Sequence, residues 1–124
     1  MKLSIALLFI AASLLVGCGD STPECNSDDA KSLVVDISQK QINKQLDQLR
    51  NSQMAGMVPK DADNIKLAVI NVRTIKHDSS LDAYSCSADL RMTLPEKINE
   101  LPIAYNIQKT DDINGQFYIN VFGL

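Results

Sequence analysis

The strictest pattern in the chain is an alternation of apolar and polar side chains over residues 83–94, AYSCSADLRMTL. One face carries Tyr84, Cys86, Ala88, Leu90, Met92 and Leu94, and the other carries Ser85, Ser87, Asp89, Arg91 and Thr93. Because successive side chains of a β-strand point to opposite faces, the pattern predicts a strand with one buried face. The fold must therefore be a sheet whose apolar face is covered by a second layer.

Residues 26–52 are predicted to form that second layer as one long helix. Apolar residues fall at positions 30, 33, 34 and 37 and at 35, 42, 46 and 49, which is helical spacing. Asn26 or Ser27 can cap the helix, and Asp28 and Asp29 lie in its first turn, where the helix dipole favours acidic groups. The polar face is not rich in Lys and Arg, so the helix is expected to pack on the sheet rather than on a membrane surface.

Three further strands are predicted at residues 64–75, 103–108 and 116–123, from their β-branched and alternating apolar residues. Residues 77–82 are interpreted as a turn and residues 95–102 as a connection. Residues 111–115 end in Asn-Gly, which is a strong hairpin signal. The predicted fold class is α+β, with one long N-terminal helix packed on a four-stranded antiparallel meander sheet.

The loop between helix and sheet, residues 53–64, contains Gly56 and Pro59 but is unusually apolar. Its apolar residues are Met54, Met57 and Val58. One interpretation is that the loop folds back over the core. The other is that it forms an exposed, adaptable contact surface for a partner, a use to which methionine is well suited.

The first eighteen residues have the pattern of an export signal. A short positive start, Met1-Lys2, precedes an uncharged and mostly apolar segment at residues 3–16. That segment is too short for a membrane-spanning helix, which needs about 20 apolar residues, and has the form of a secretory signal. Its end, Leu15-Val16-Gly17-Cys18, resembles the lipobox of bacterial lipoproteins. The alternative is an ordinary signal peptide with a coincidental cysteine.

The lipobox resemblance implies a membrane anchor. Residues 1–17 would be removed as a lipoprotein signal peptide, and Cys18 would carry diacylglycerol on its sulfur and an acyl chain on its amino group. Two or more acyl chains hold a protein durably on a membrane. Residues 18–24 would be the lipidated cysteine and a short tether, of which residues 19–24 reach about 20 Å when extended. By the same resemblance, Gly19 would favour the outer over the inner membrane, and residues 25–124 would form a single domain facing the periplasm or the cell surface.

With Cys18 assigned to lipid, Cys25 and Cys86 remain as an even pair. In an exported protein such a pair predicts a disulfide bond. In the chain-entropy model, closing a loop of this length raises the free energy of unfolding by roughly 4 kcal/mol. Two free buried thiols are the alternative. The two cysteines and the lone His77 do not form a convincing metal-ligand set.

The order of elements over residues 26–123 resembles that of cystatin-like or NTF2-like domains, in which a helix packs on a curved sheet. The same order, with a Tyr-x-Cys-x-Ala strand and an Ile-x-Tyr-x-Ile strand, is similar to that of small lipoproteins of Gram-negative bacteria. Both resemblances imply the helix-on-sheet architecture and add no site residues.

No residue pattern predicts catalysis. His77, Asp78 and Ser79 are adjacent in a predicted turn, and a catalytic triad is assembled across space. The acidic segments around Asp61 and at residues 111–115 lack the glycine or the closing glutamate of a calcium loop. Phosphate-cradling loops, metal-binding His-Glu patterns and nucleophile elbows do not occur. We therefore expect no enzyme activity, no metal and no cofactor beyond the acyl groups on Cys18.

Charge further limits the possible partners. Without residues 1–17, the chain has 11 basic and 15 acidic residues, a net charge near −4, which argues against nucleic-acid binding. We expect a membrane-anchored protein that acts by contact with an envelope protein, of the inhibitor, immunity or exclusion type. The alternatives are an accessory component of an envelope secretion or pilus assembly, and a small-ligand carrier.

Overall fold

The computed structural model describes residues 21–59, 62–111 and 116–124. The predicted signal peptide, residues 1–17, and the predicted lipidation site, Cys18, lie outside the described residues. Apart from two three-residue 3₁₀ helices between helix and sheet, the described regular elements are one α-helix and four β-strands. These are α1 (Asp28–Arg50), β1 (Lys66–Asp78), β2 (Ala83–Thr93), β3 (Ile98–Lys109) and β4 (Phe117–Phe122).

The four strands form one antiparallel sheet in the order β1-β2-β3-β4, so each strand pairs with the next one along the chain. A disulfide bond joins Cys25 to Cys86. The predicted α+β class, the helix, the four-stranded antiparallel sheet and the disulfide are thereby confirmed. Among the described residues, no helix is long and apolar enough to cross a membrane.

Local side-chain chemistry sets both ends of α1. Ser27 is the N-cap, and its Oγ accepts a hydrogen bond from the backbone N–H of Ala30 at 3.2 Å. Two acidic residues follow in the first turn, as expected from the helix dipole. At the other end, the Arg50 guanidinium contacts Asp47 at 3.3 Å and Asp63 at 2.7 Å. The second contact ties the end of α1 to the segment that leads into β1.

The core lies between α1 and one face of the sheet. The inward face of β2 is the one predicted from the alternation, with Cys86, Ala88 and Leu90 fully or almost fully buried. The cluster of buried residues consists of Cys25, Ala30, Val34, Cys86, Ala88, Leu90, Ile103, Tyr105, Ile107 and Ile119. Large side chains therefore fill the space between the two layers.

Two strands are longer than predicted. β3 begins at Ile98 rather than at residue 103, and it includes Pro102. The N–H that proline lacks would point towards β4, but β3–β4 pairing begins only at Ala104, so no ladder hydrogen bond is lost. β1 continues to Asp78, which places His77 in the strand rather than in the turn. A register shift follows Ile70, where Asn71 adopts a φ of 54°.

The connections between the elements lie at two opposite ends of the domain, which we call the proximal and the distal end. The proximal end contains the β1–β2 turn, residues 79–82, and the point where residue 22 joins the domain. The distal end contains the end of α1, the loop that follows it and the β2–β3 turn. β1 alone, at 13 residues, spans about 40 Å between the two ends.

Candidate functional site

The chain enters the domain through a hydrogen bond to the β1–β2 turn. The backbone N–H of Thr22 donates to Oδ2 of Asp82 at 2.9 Å, and Thr22 itself is buried. Asp82 has a φ of 49°, a left-handed conformation that aspartate tolerates better than most residues. The residue only four positions after the predicted lipidation site is therefore fixed to the domain.

His77 holds the other oxygen of the same carboxylate. Nε2 of His77 lies 3.0 Å from Oδ1 of Asp82, and because an ionised carboxylate only accepts, this nitrogen carries the proton. The imidazole stacks on the Tyr84 ring with the centroids 4.2 Å apart. The Thr22 N–H, and after it His77, lower the pKa of the Asp82 carboxyl below its ordinary value. The carboxylate is thus held ionised between two donors.

Cys25 makes the second attachment. Its disulfide to Cys86 has a Cα–Cα distance of 5.7 Å, and both residues are buried. The hydroxyl of Tyr105 donates to the backbone oxygen of Cys25 at 2.7 Å, again in the core. Burial raises the pKa of Tyr105 to about 12, so the phenol stays protonated and able to donate. We call Thr22, Cys25, Asp82, Cys86 and Tyr105 the N-terminal clamp.

The apolar loop lies at the opposite, distal end. A 3₁₀ turn covers Ala55–Met57. The Met54 side chain is 51% exposed and the Met57 side chain 68% exposed, whereas Val58 is half-buried. The two methionines are therefore surface residues and do not cover the core. That they contact a partner stays a prediction.

The residues considered for catalysis do not converge. Asp78 turns its Oδ1 to the backbone and hydroxyl of Ser80, and His77 bonds to Asp82 instead. Within residues 21–59, 62–111 and 116–124, no group of three or more His, Cys, Asp or Glu residues is placed to hold a metal ion. Asp61 and residues 112–115 of the two acidic segments lie outside the described residues.

Part of this site could be predicted from the sequence. The structure joins the predicted pair Cys25 and Cys86, and Tyr105 lies in the strand that was predicted at residues 103–108. Thr22 and Asp82 were missed because a backbone-to-carboxylate bond between residues 60 positions apart leaves no sequence pattern. The phenol-to-carbonyl bond of Tyr105, over 80 positions, was missed for the same reason.

Comparison with known proteins adds no assignment. No protein-family model, curated protein or solved structure matches the chain. The resemblances to bacterial lipoproteins and to cystatin-like or NTF2-like domains therefore stay predictions.

Proposed function

We propose that this chain is a lipid-anchored protein of the cell envelope that acts by protein–protein contact, of the inhibitor, immunity or exclusion type. In this interpretation Cys18 is the lipidated first residue, the outer membrane holds the anchor, and α1 is the long N-terminal helix of the mature domain. The observation that carries the proposal is the N-terminal clamp, which fixes the chain to the domain at Thr22, within the predicted tether, and again at Cys25. A domain fixed in this way is held by its proximal end.

The clamp gives the domain an orientation as well as an attachment. Thr22 is tied to the β1–β2 turn, while Met54 and Met57 lie at the other end of strands that are about 40 Å long. A membrane on the proximal side leaves these exposed methionines directed away from it. Because methionine adapts to irregular apolar surfaces, the distal loop is the contact surface that the proposal names.

The packed core argues against a small-ligand carrier. Val34, Leu90 and Tyr105 fill the space between helix and sheet where such a ligand would bind. The described clefts lie on the surface instead: one of about 620 Å³ along α1, one of about 380 Å³ where α1 passes Val69, and one of about 220 Å³ on the sheet face away from α1. All three are open to solvent, whereas pockets for drug-sized ligands bury about 70–90% of the ligand surface. An accessory role in a secretion or pilus assembly would use the same contact surface. The identity of the partner would distinguish that role from an inhibitor, immunity or exclusion role.

Two experiments test the proposal. Labelled palmitate should enter the wild-type chain and not a Cys18→Ser chain, and equal labelling of the two would refute the anchor. A photo-crosslinking amino acid at position 57 should capture an envelope protein in living cells. The control is the same amino acid at position 118, where Tyr118 is exposed near the proximal end. Identical crosslinks from both positions, or none from position 57, would refute a distal contact surface.

A further inference from the structure

The tip of the β1–β2 turn presents a leucine to solvent. Leu81 is 56% exposed, and the turn around it is fixed by Asp78. Oδ1 of Asp78 accepts from the N–H of Ser80 at 3.1 Å, from the N–H of Leu81 at 3.3 Å and from the Ser80 hydroxyl at 2.6 Å. These hydrogen bonds lower the pKa of the Asp78 carboxyl, so it stays ionised and keeps accepting. The leucine is therefore held outward by a defined turn.

The same turn receives the tether. Asp82, the neighbour of Leu81, accepts the N–H of Thr22. Four peptide units separate Cys18 from Thr22, so the two Cα atoms are at most about 14 Å apart even when the chain is fully extended. Counted to the start of the disulfide at Cys25, the reach would be roughly 25 Å. The hydrogen bond from Thr22 thus brings the leucine tip close to the lipid attachment point.

The charges near the tip favour apolar over electrostatic contact. Glu24, Asp78 and Asp82 are acidic, and the basic side chains on the same end of β1 are Lys76 and His77, of which His77 is bonded to Asp82. An acidic surface is not attracted to anionic lipid headgroups, because these headgroups attract basic residues. An exposed leucine, in contrast, gains free energy wherever it leaves water for the acyl-chain boundary.

We propose that Leu81 inserts into the interface of the bilayer that holds Cys18 and forms a second membrane contact of the domain. This inference rests on the lipid anchoring proposed above. The length of chain between Cys18 and Thr22 selects the membrane as the occupant, because the tip cannot move far from the surface that the acyl chains enter. Two attachments then restrain the tilt of the domain as well as its distance from the membrane.

The absence of tryptophan from the sequence provides a clean reporter. The full-length chain, lipidated in cells and purified in detergent, is reconstituted into vesicles of phosphatidylcholine as a Leu81→Trp variant. The matched control is Met57→Trp at the distal end, where the side chain is also well exposed. Vesicle flotation first establishes that each chain is anchored, and iodide in the water and brominated acyl chains in the bilayer then quench the fluorescence.

The expected results differ between the two positions. Burial of the exposed part of a leucine-sized side chain favours the inserted state about fivefold, so iodide should quench Leu81→Trp about fivefold less than Met57→Trp. Brominated lipid should quench only the Leu81→Trp chain. Replacing part of the phosphatidylcholine by phosphatidylglycerol should not strengthen the contact, because the tip is acidic. A Gly/Ser insertion of about ten residues between positions 20 and 21 should return the iodide quenching to the Met57→Trp level.

The possible failures are distinguishable. A chain that floats with the vesicles, but whose Leu81→Trp and Met57→Trp variants are quenched equally by iodide, would overturn the second contact and leave the anchor intact. A chain that does not float would overturn the anchor and, with it, the contact at Leu81. Brominated-lipid quenching that survives the longer tether unchanged would overturn the argument from chain length.

Discussion

The buried hydrogen bond of the N-terminal clamp allows a quantitative test with the change Tyr105→Phe. Tyr105 is completely buried, and its hydroxyl donates to the Cys25 backbone oxygen at 2.7 Å. Phenylalanine keeps the ring and leaves almost no cavity, so the loss is confined to the hydrogen bond and the unpaired carbonyl. Such a loss costs about 1–3 kcal/mol. For a domain of about 100 residues, each kcal/mol lowers Tm by roughly 4–8 °C.

The control is Tyr118→Phe, which makes the same chemical change on the surface. The Tyr118 hydroxyl donates to Oε1 of Gln108 at 3.0 Å, but both side chains lie on the sheet face away from α1, and Tyr118 is exposed. Water replaces that bond, so its free energy of unfolding should change by no more than about 0.5 kcal/mol. Urea unfolding followed by circular dichroism, with the disulfide intact, measures both variants.

The pH dependence gives a second readout of the same hydroxyl. An unfolded tyrosine titrates near pH 10, and burial raises the pKa of Tyr105 in the folded chain to about 12. Above pH 10 the unfolded chain binds fewer protons than the folded one, so the free energy of unfolding falls by up to about 1.4 kcal/mol per pH unit. The difference in free energy of unfolding between the wild type and Tyr105→Phe is therefore fully present below pH 10 and is lost as the pH rises towards 12. Equal destabilisation by Tyr105→Phe and Tyr118→Phe, or parallel wild-type and Tyr105→Phe curves above pH 10, would refute this account.

Four further predictions follow from the core and the clamp. Ser38→Ala should raise the free energy of unfolding by about 1 kcal/mol, because the buried Ser38 hydroxyl has no hydrogen-bond partner among the described residues; Ser32→Ala, exposed on the same helix, should gain only helix propensity. Cys25→Ala with Cys86→Ala should lower it by about 4 kcal/mol in chemical unfolding, and full thiol alkylation of the wild type without reductant would contradict the bond. Asp82→Ala should speed hydrogen exchange at the Thr22 amide, whereas Asp63→Ala at the distal end should leave it unchanged. Stability should also fall as the pH drops through the lowered pKa of Asp82, and Asp82→Asn should flatten that fall.

Sequence periodicity predicted the parts of the fold whose burial is regular. β2 spans Ala83–Thr93 against a prediction of 83–94, and α1 lies inside the predicted range 26–52. The pattern failed where burial is irregular. The first residues of β3, Ile98–Glu100, are exposed and flanked by prolines, so they show no alternation. The shift after Ile70 also breaks the two-residue repeat of β1, which hid its extension to Asp78.

The hydrogen bonds of the clamp could not be predicted because they depend on tertiary placement. The hydrogen bond from Thr22 to Asp82 uses a backbone N–H that every residue except proline possesses. His77 shows the same limit, since its predicted place in a solvated turn gave no indication of its stacking on Tyr84. The disulfide was predictable because cysteine pairing depends on count and compartment, which can be read without coordinates.

The two attachments of the clamp have different consequences for a tethered domain. The disulfide and Tyr105 act at Cys25 in the core and contribute to stability, whereas the part-buried Thr22–Asp82 bond acts at the proximal end and shortens the free tether. Without that bond the chain between Cys18 and Cys25 would let the domain reach roughly 25 Å rather than about 14 Å. Asp82→Ala should therefore leave most of the stability intact but broaden the range of distances between the distal loop and the membrane. We expect the partner contact to require the distal loop at a fixed height above the membrane. Crosslinking from position 57 should therefore weaken in this variant, although the fold and the loop are unchanged.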